Sequence, residues 1–122
     1  MTNPTLPPGQ IETKRFPIVG ERTPSADLTD PGSWRMELGG LVRKQLELDL
    51  EAFRSRADQE LNIDIHCVTS WTRFDSTWTG LPLRVFLDEA EPLAGAAFVS
   101  FEAYSERGHH TSLPFEVARE DC

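Results

Sequence analysis

Apolar and polar side chains alternate along Asn62–Val68, a pattern that fits an extended strand with one buried face. The pattern stops at Ser70, which places Cys67 at the C-terminal end of the predicted strand. A tryptophan-rich loop is expected to follow over Trp71–Trp78. The alternation puts polar Asp64 and His66 on one face of the strand and the less polar side chains on the other, namely Ile63, Ile65 and Cys67.

Two short alternating runs, Trp34–Leu38 and Gln45–Leu48, flank a Gly-Gly break upstream of this strand. They are predicted to pair with each other through the intervening turn. Asp49 follows the second run and has the side chain of a helix N-cap, so a short helix is expected to start there.

The second half of the chain predicts another helix and a hairpin. Apolar residues recur at helical spacing over Pro82–Ala90, and that helix should end before Pro92. Ala97–Tyr104 and His109–Leu113 read as hairpin strands joined by turn-forming residues, and Pro114 opens a last helical segment. We therefore predict a β-rich α+β domain with a mixed sheet and short helices.

The first 31 residues contain six of the nine prolines and no sustained period, which predicts an extended N-terminal arm wrapped around a domain over 32–122. No apolar core of a signal peptide is visible over Met1–Gln10, and no stretch is long enough to cross a membrane. These features lead us to expect a cytoplasmic protein with both cysteines reduced. The net charge of −8 argues against binding to nucleic acid or to an anionic membrane surface.

The segment over 66–83 carries the most specific motif of the chain. It reads His-Cys-Val-Thr at the predicted strand end, a tryptophan four residues after the cysteine, and then Trp-Thr-Gly-Leu-Pro-Leu before the predicted helix. This motif resembles the signature of the sulfite oxidase-like molybdopterin-binding family. Weaker similarities to the family's arm, first strand pair and later strand-to-helix junction extend over most of the chain.

The resemblance implies a sulfite oxidase-like molybdopterin-binding fold and a molybdenum–molybdopterin cofactor. In this family the pterin supplies two dithiolene sulfurs and the protein adds one thiolate, which identifies Cys67 as the metal ligand and catalytic residue. A polarisable thiolate suits a redox-active metal better than a carboxylate does. His66, Trp71 and Arg73 are the further candidates for binding the cofactor.

Each candidate also has a structural interpretation. A single cysteine on the apolar face of a strand is more often a small buried hydrophobe. His66 could be a partly exposed structural histidine, and Arg73 a solvated loop side chain. Trp71 and Trp78 could pack in the core instead of walling a pocket.

The resemblance also predicts that part of the domain is missing. The family's fold continues beyond the position of Cys122 and there supplies an Asn, an Arg and a Gly/Lys-bearing loop that hold the pterin and its phosphate. No segment of this sequence matches those anchors. A truncated family member, incomplete at its C-terminus, is therefore expected.

Two functions of different classes follow from these observations. The first is molybdenum-dependent oxygen-atom transfer on a small S-oxide, N-oxide or sulfite-like anion, with a haem, quinone or flavin partner that exchanges the electrons. The second is a degenerate or split scaffold domain that acts in binding or assembly without catalysis. A thiol redox protein is a weaker third hypothesis, because no resolving cysteine lies near Cys67.

Overall fold

The computed structural model describes residues 5–18 and 30–122 of the chain. Seven strands and three helices are found in this described part, and they form a mixed α+β structure. In chain order the elements are β1 (Ile11–Glu12), β2 (Arg35–Leu38), β3 (Leu46–Asp49), α1 (Leu50–Arg56), β4 (Gln59–Cys67), β5 (Trp71–Gly80), α2 (Leu83–Ala90), β6 (Phe98–Glu102), β7 (His110–Pro114) and α3 (Phe115–Asp121).

The predicted pairs and helices of both halves are present. Strands β2 and β3 pair antiparallel, as do β6 and β7. Asp49 caps α1 as predicted, because its Oδ1 accepts a hydrogen bond of 2.7 Å from the backbone N–H of Ala52. Helix α2 ends at Ala90, before Pro92, and α3 begins after Pro114. The predicted α+β class is thus confirmed.

The segment Trp71–Trp78, predicted to be a loop, is instead most of strand β5. It pairs antiparallel with β4 across a three-residue turn, in which Ser70 N–H donates to the Cys67 carbonyl at 3.1 Å. Its tryptophans and threonines favour strands, but a bulge hides their alternation. Two β5 residues, Phe74 and Asp75, stand opposite Asp64 where the register shifts.

The N-terminal arm lies along the free edge of β5 as an ordered segment. Strand β1 pairs parallel with the start of β5, so the sheet has the order β1-β5-β4 and is mixed, as predicted. Backbone N–H groups of Ile11 and Thr13 donate to the carbonyls of Ser70 and Thr72. Residues 1–4 and 19–29 of the predicted arm lie outside the described residues, and the boundary at residue 31 stays a prediction.

The best-buried apolar cluster lies between α2 and α3. Phe86, Leu87 and Ala90 of α2 and Ala118 of α3 have almost no exposed surface. The ring of Phe86 stacks on Phe53 of α1, which extends the cluster towards the β2–β3 pair. None of the helices in the described part is long and apolar enough to span a membrane.

Candidate active site at the β4–β5 turn

The turn end of the β4–β5 hairpin brings the four predicted site residues together. Cys67 stands directly opposite Trp71, while His66 stands opposite Thr72 and Ile65 opposite Arg73. Residues paired in this way project to the same side of a hairpin. Cys67, Trp71 and Arg73 therefore share one face of the sheet and His66 lies on the other, as the strand pattern predicted.

Cys67 is half-buried, and its sulfur is not sealed in apolar side chains. The Sγ atom lies 3.1 Å from the Thr69 hydroxyl oxygen. Hydrogen bonds from the Thr69 hydroxyl and backbone N–H lower the pKa of the Cys67 thiol, while partial desolvation opposes them. The turn therefore favours the thiolate, which is the form that binds metals.

Trp71 is half-buried beside the arm. Its ring meets the ring of Phe16 edge-on, with 6.1 Å between the centroids. The indole Nε1–H is buried and has no hydrogen-bond partner among the described residues. Since buried donors are nearly always paired, this N–H is a candidate donor to an acceptor that binds at this position.

Arg73 is a strand residue held by the arm and not a solvated loop side chain. Its guanidinium lies 4.6 Å from the centroid of the Phe16 ring and donates to the Ser76 hydroxyl. Its Nε–H also points at the Lys14 carbonyl, at 3.5 Å. These contacts join the arm to the face of the sheet that carries Cys67, and the Phe16 ring covers part of that face.

The opposite face carries a polar network around His66. The Thr72 hydroxyl is fully buried and bonds to both the His66 ring and the Gln10 side chain, which in turn reaches the Cys67 carbonyl. The sequence does not mark Gln10 and Thr72 as site residues, because its pattern predicts a loop where the second strand lies. Thr69 belongs to the motif, but its sequence position alone indicates no role. The spacing of Cys67 and Thr69 was the available signal for that hydroxyl–thiol contact.

The possible metal-binding side chains at the turn suit a metal whose other ligands come from a bound cofactor. Within residues 5–18 and 30–122, no three His, Cys, Asp or Glu side chains cluster closely enough to hold a metal ion. A single half-buried thiol with a lowered pKa, on the same sheet face as an indole N–H that has no partner among the described residues, suits a pterin-chelated molybdenum that needs one protein sulfur. The residues at the turn therefore fit this group.

Comparisons with known proteins identify the family of the chain. Residues 22–122 match the family model described as the oxidoreductase molybdopterin binding domain. The chain is similar to the uncharacterized oxidoreductase YuiH of Bacillus subtilis, with 32% identity over 113 residues, which cover 91% of this chain and 54% of that protein. It is also similar to the catalytic subunit MsrP of a protein-methionine-sulfoxide reductase of Gluconobacter oxydans, with 39% identity over 74 residues, 60% of this chain and 23% of that protein. The chain thus spans about half the length of the first relative and about a quarter of the second.

Proposed function

The chain belongs to the family of oxidoreductases with a molybdopterin-binding domain, and we propose that Cys67 is its thiolate ligand to molybdenum. The cofactor of this domain is molybdenum–molybdopterin. The observation that carries the proposal is the position of Cys67 at the open end of a rigid hairpin, with Thr69 lowering the pKa of the thiol. The bound cofactor supplies two-electron oxidation–reduction coupled to oxygen-atom transfer.

The other side chains of the turn have distinct roles in this proposal. Trp71 offers its unpaired indole N–H as a hydrogen-bond donor to the cofactor. Arg73 and Phe16 contact each other across the hairpin and the arm, which holds the arm beside the same face. Val68 is 97% exposed at the tip of the turn, so its apolar side chain is accessible to a bound cofactor.

We infer that the substrate of the whole protein is a small S-oxide, N-oxide or sulfite-like anion. The sulfoxide class has additional support, since the second relative is named a methionine-sulfoxide reductase. Reduction of a sulfoxide takes two electrons and two protons and yields the sulfide and water, so an electron-donating partner with a haem, quinone or flavin is part of the proposal. Reduced viologen dye can replace that partner in an assay with methionine sulfoxide.

Elemental analysis tests the metal ligand directly. Protein produced in a molybdate-supplied host that makes the cofactor should contain about one molybdenum per chain, as expected for one metal held by one thiolate. Cys67→Ser should remove the metal, while the matched variant Cys122→Ser should retain it, because Cys122 is exposed and lies outside the hairpin. Molybdenum retained by folded Cys67→Ser would refute the proposal. Folded wild-type protein without metal from the same host would favour the scaffold function instead.

A further inference from the structure

A continuous chain of hydrogen bonds joins the backbone of Cys67 to the ring of His66 through the arm. The Gln10 Nε2 atom donates to the Cys67 carbonyl at 3.0 Å. The Gln10 Oε1 atom accepts from the Thr72 hydroxyl at 2.9 Å, and the same hydroxyl oxygen lies 2.8 Å from His66 Nδ1. None of these groups belongs to the face that carries Cys67 Sγ.

The positions of the protons in this chain follow from its first link. A backbone carbonyl can only accept, so the Gln10 atom that faces Cys67 must be the amide nitrogen. The amide oxygen then faces Thr72, whose single hydroxyl proton must be donated to it. With that proton committed, the hydroxyl oxygen can only accept from the imidazole, so Nδ1 of His66 carries a proton.

No other arrangement satisfies the same atoms. A flipped Gln10 amide would place two acceptors, its own oxygen and the Cys67 carbonyl oxygen, in contact, and the amide oxygen would lose the Thr72 hydroxyl as its donor. Water cannot replace a partner of Thr72, because this side chain is 0% exposed. The plane of the ring is restricted by Phe74, which His66 meets nearly at a right angle, with 6.4 Å between the centroids.

We propose that Gln10 is a positioning residue that, through Thr72, locks neutral His66 in the Nδ1–H tautomer. The ring then presents an unprotonated Nε2, so it accepts a hydrogen bond from an N–H or O–H group of the bound ligand. The identity of the ligand rests on the proposed function, whereas the tautomer does not.

Nitrogen-15 NMR of the metal-free protein tests the lock without any enzyme assay. The chain has three histidines, so the His66 signals can be assigned with a single His66→Gln variant. Spectra recorded in the alkaline range where the nitrogen signals no longer change with pH report the neutral ring. We expect Nδ1 to resonate as a protonated nitrogen and Nε2 as an unprotonated one.

Three variants separate the lock from general packing. Thr72→Val keeps a similar shape but has no hydroxyl. Gln10→Ala frees the Thr72 hydroxyl proton to point towards the imidazole. Both variants should shift His66 towards the Nε2–H tautomer. Thr72→Ser keeps the hydroxyl and should keep the wild-type tautomer. Wild-type protein with an Nε2–H ring, or an unchanged ring in folded Gln10→Ala, would overturn the inference. Molybdenum content is measured separately. A protein that has the Nδ1–H ring but whose molybdenum does not depend on Cys67 would support this inference and refute only Cys67 as the metal ligand.

Discussion

The side-chain amide of Gln10 lies 3.0 Å from the backbone carbonyl of Cys67, 57 positions further along the chain. A residue of the N-terminal arm thereby adds a second donor, beside Ser70 N–H, to the last carbonyl of the strand that carries the proposed metal ligand. The arm contacts both faces of the hairpin, since Phe16 covers the face of Cys67 and Gln10 bonds to the network of His66. Docking of the arm and the geometry of the site are therefore expected to depend on each other.

Removal of the Thr69 hydroxyl should make the Cys67 thiol less acidic. The pKa lies below its ordinary value of 9.0 because Thr69 hydrogen-bonds the thiolate. In a Cys122→Ser background, metal-free Thr69→Val should react severalfold more slowly with iodoacetamide near neutral pH, since less thiolate is present. Thr111→Val, on distant strand β7, is the control and should react at the parent rate. An equal rate for both variants would contradict the role of Thr69.

The same shift predicts a pH dependence of stability. A lowered pKa in the folded protein means that the unfolded chain binds more protons in this range, so the contribution of Cys67 rises with pH. It is complete above the unfolded-state pKa, near 9.0, and is lost as the pH falls through the lower folded-state pKa. Urea unfolding followed across this range should show a smaller rise for Thr69→Val than for the parent protein.

Phe16→Ala should loosen the arm. The ring has edge contacts with Trp71 and Trp78 and stacks under the Arg73 guanidinium, although 49% of it is exposed. Loss of these contacts should cost about 1–2 kcal/mol of local stability. Tryptic cleavage after Lys14 should then be roughly ten times faster, because cleavage follows the population of the open arm. Ile18→Ala, at a position that is 75% exposed, should change the rate little.

Asp49→Ala should destabilise the protein through helix α1. The carboxylate accepts the N–H of Ala52 at 2.7 Å, and loss of such a cap typically costs about 1 kcal/mol of unfolding free energy. Asp49→Asn keeps an acceptor and should lose only a fraction of this amount in urea titrations. Glu51→Ala removes a charge from the same first turn without removing the cap. If Asp49→Ala and Glu51→Ala lost the same unfolding free energy, the effect would come from the charge and not from the cap.

The turn at Ser70 should reject branched side chains. Its φ of 73° lies in the left-handed region, which glycine adopts without strain. Ser70→Val should cost about 1–3 kcal/mol of stability, whereas Ser70→Gly should be neutral or slightly stabilising. Thermal unfolding of the pair measures the difference. A valine variant as stable as the glycine variant would exclude strain at this position.

Local patterns in the sequence were enough to predict most elements and the central residue of the site. Alternation identified β2, β3 and β4, and helical spacing identified α2, because each of these patterns reports burial of one side of a single element. The motif around Cys67 indicated the cofactor family without any knowledge of the fold. Alternation along β4 also separated His66 from the face of Cys67.

Only the tertiary structure decided how the arm takes part in the site. Strand β5 was missed because the bulge at Phe74 and Asp75 shifts its alternation by one residue, and register is a property of two strands together. Contacts of Gln10 and Phe16 with the hairpin join residues more than fifty positions apart, and no local period encodes such a pairing. The proton on His66 likewise follows from three side chains that meet only when the arm pairs with β5.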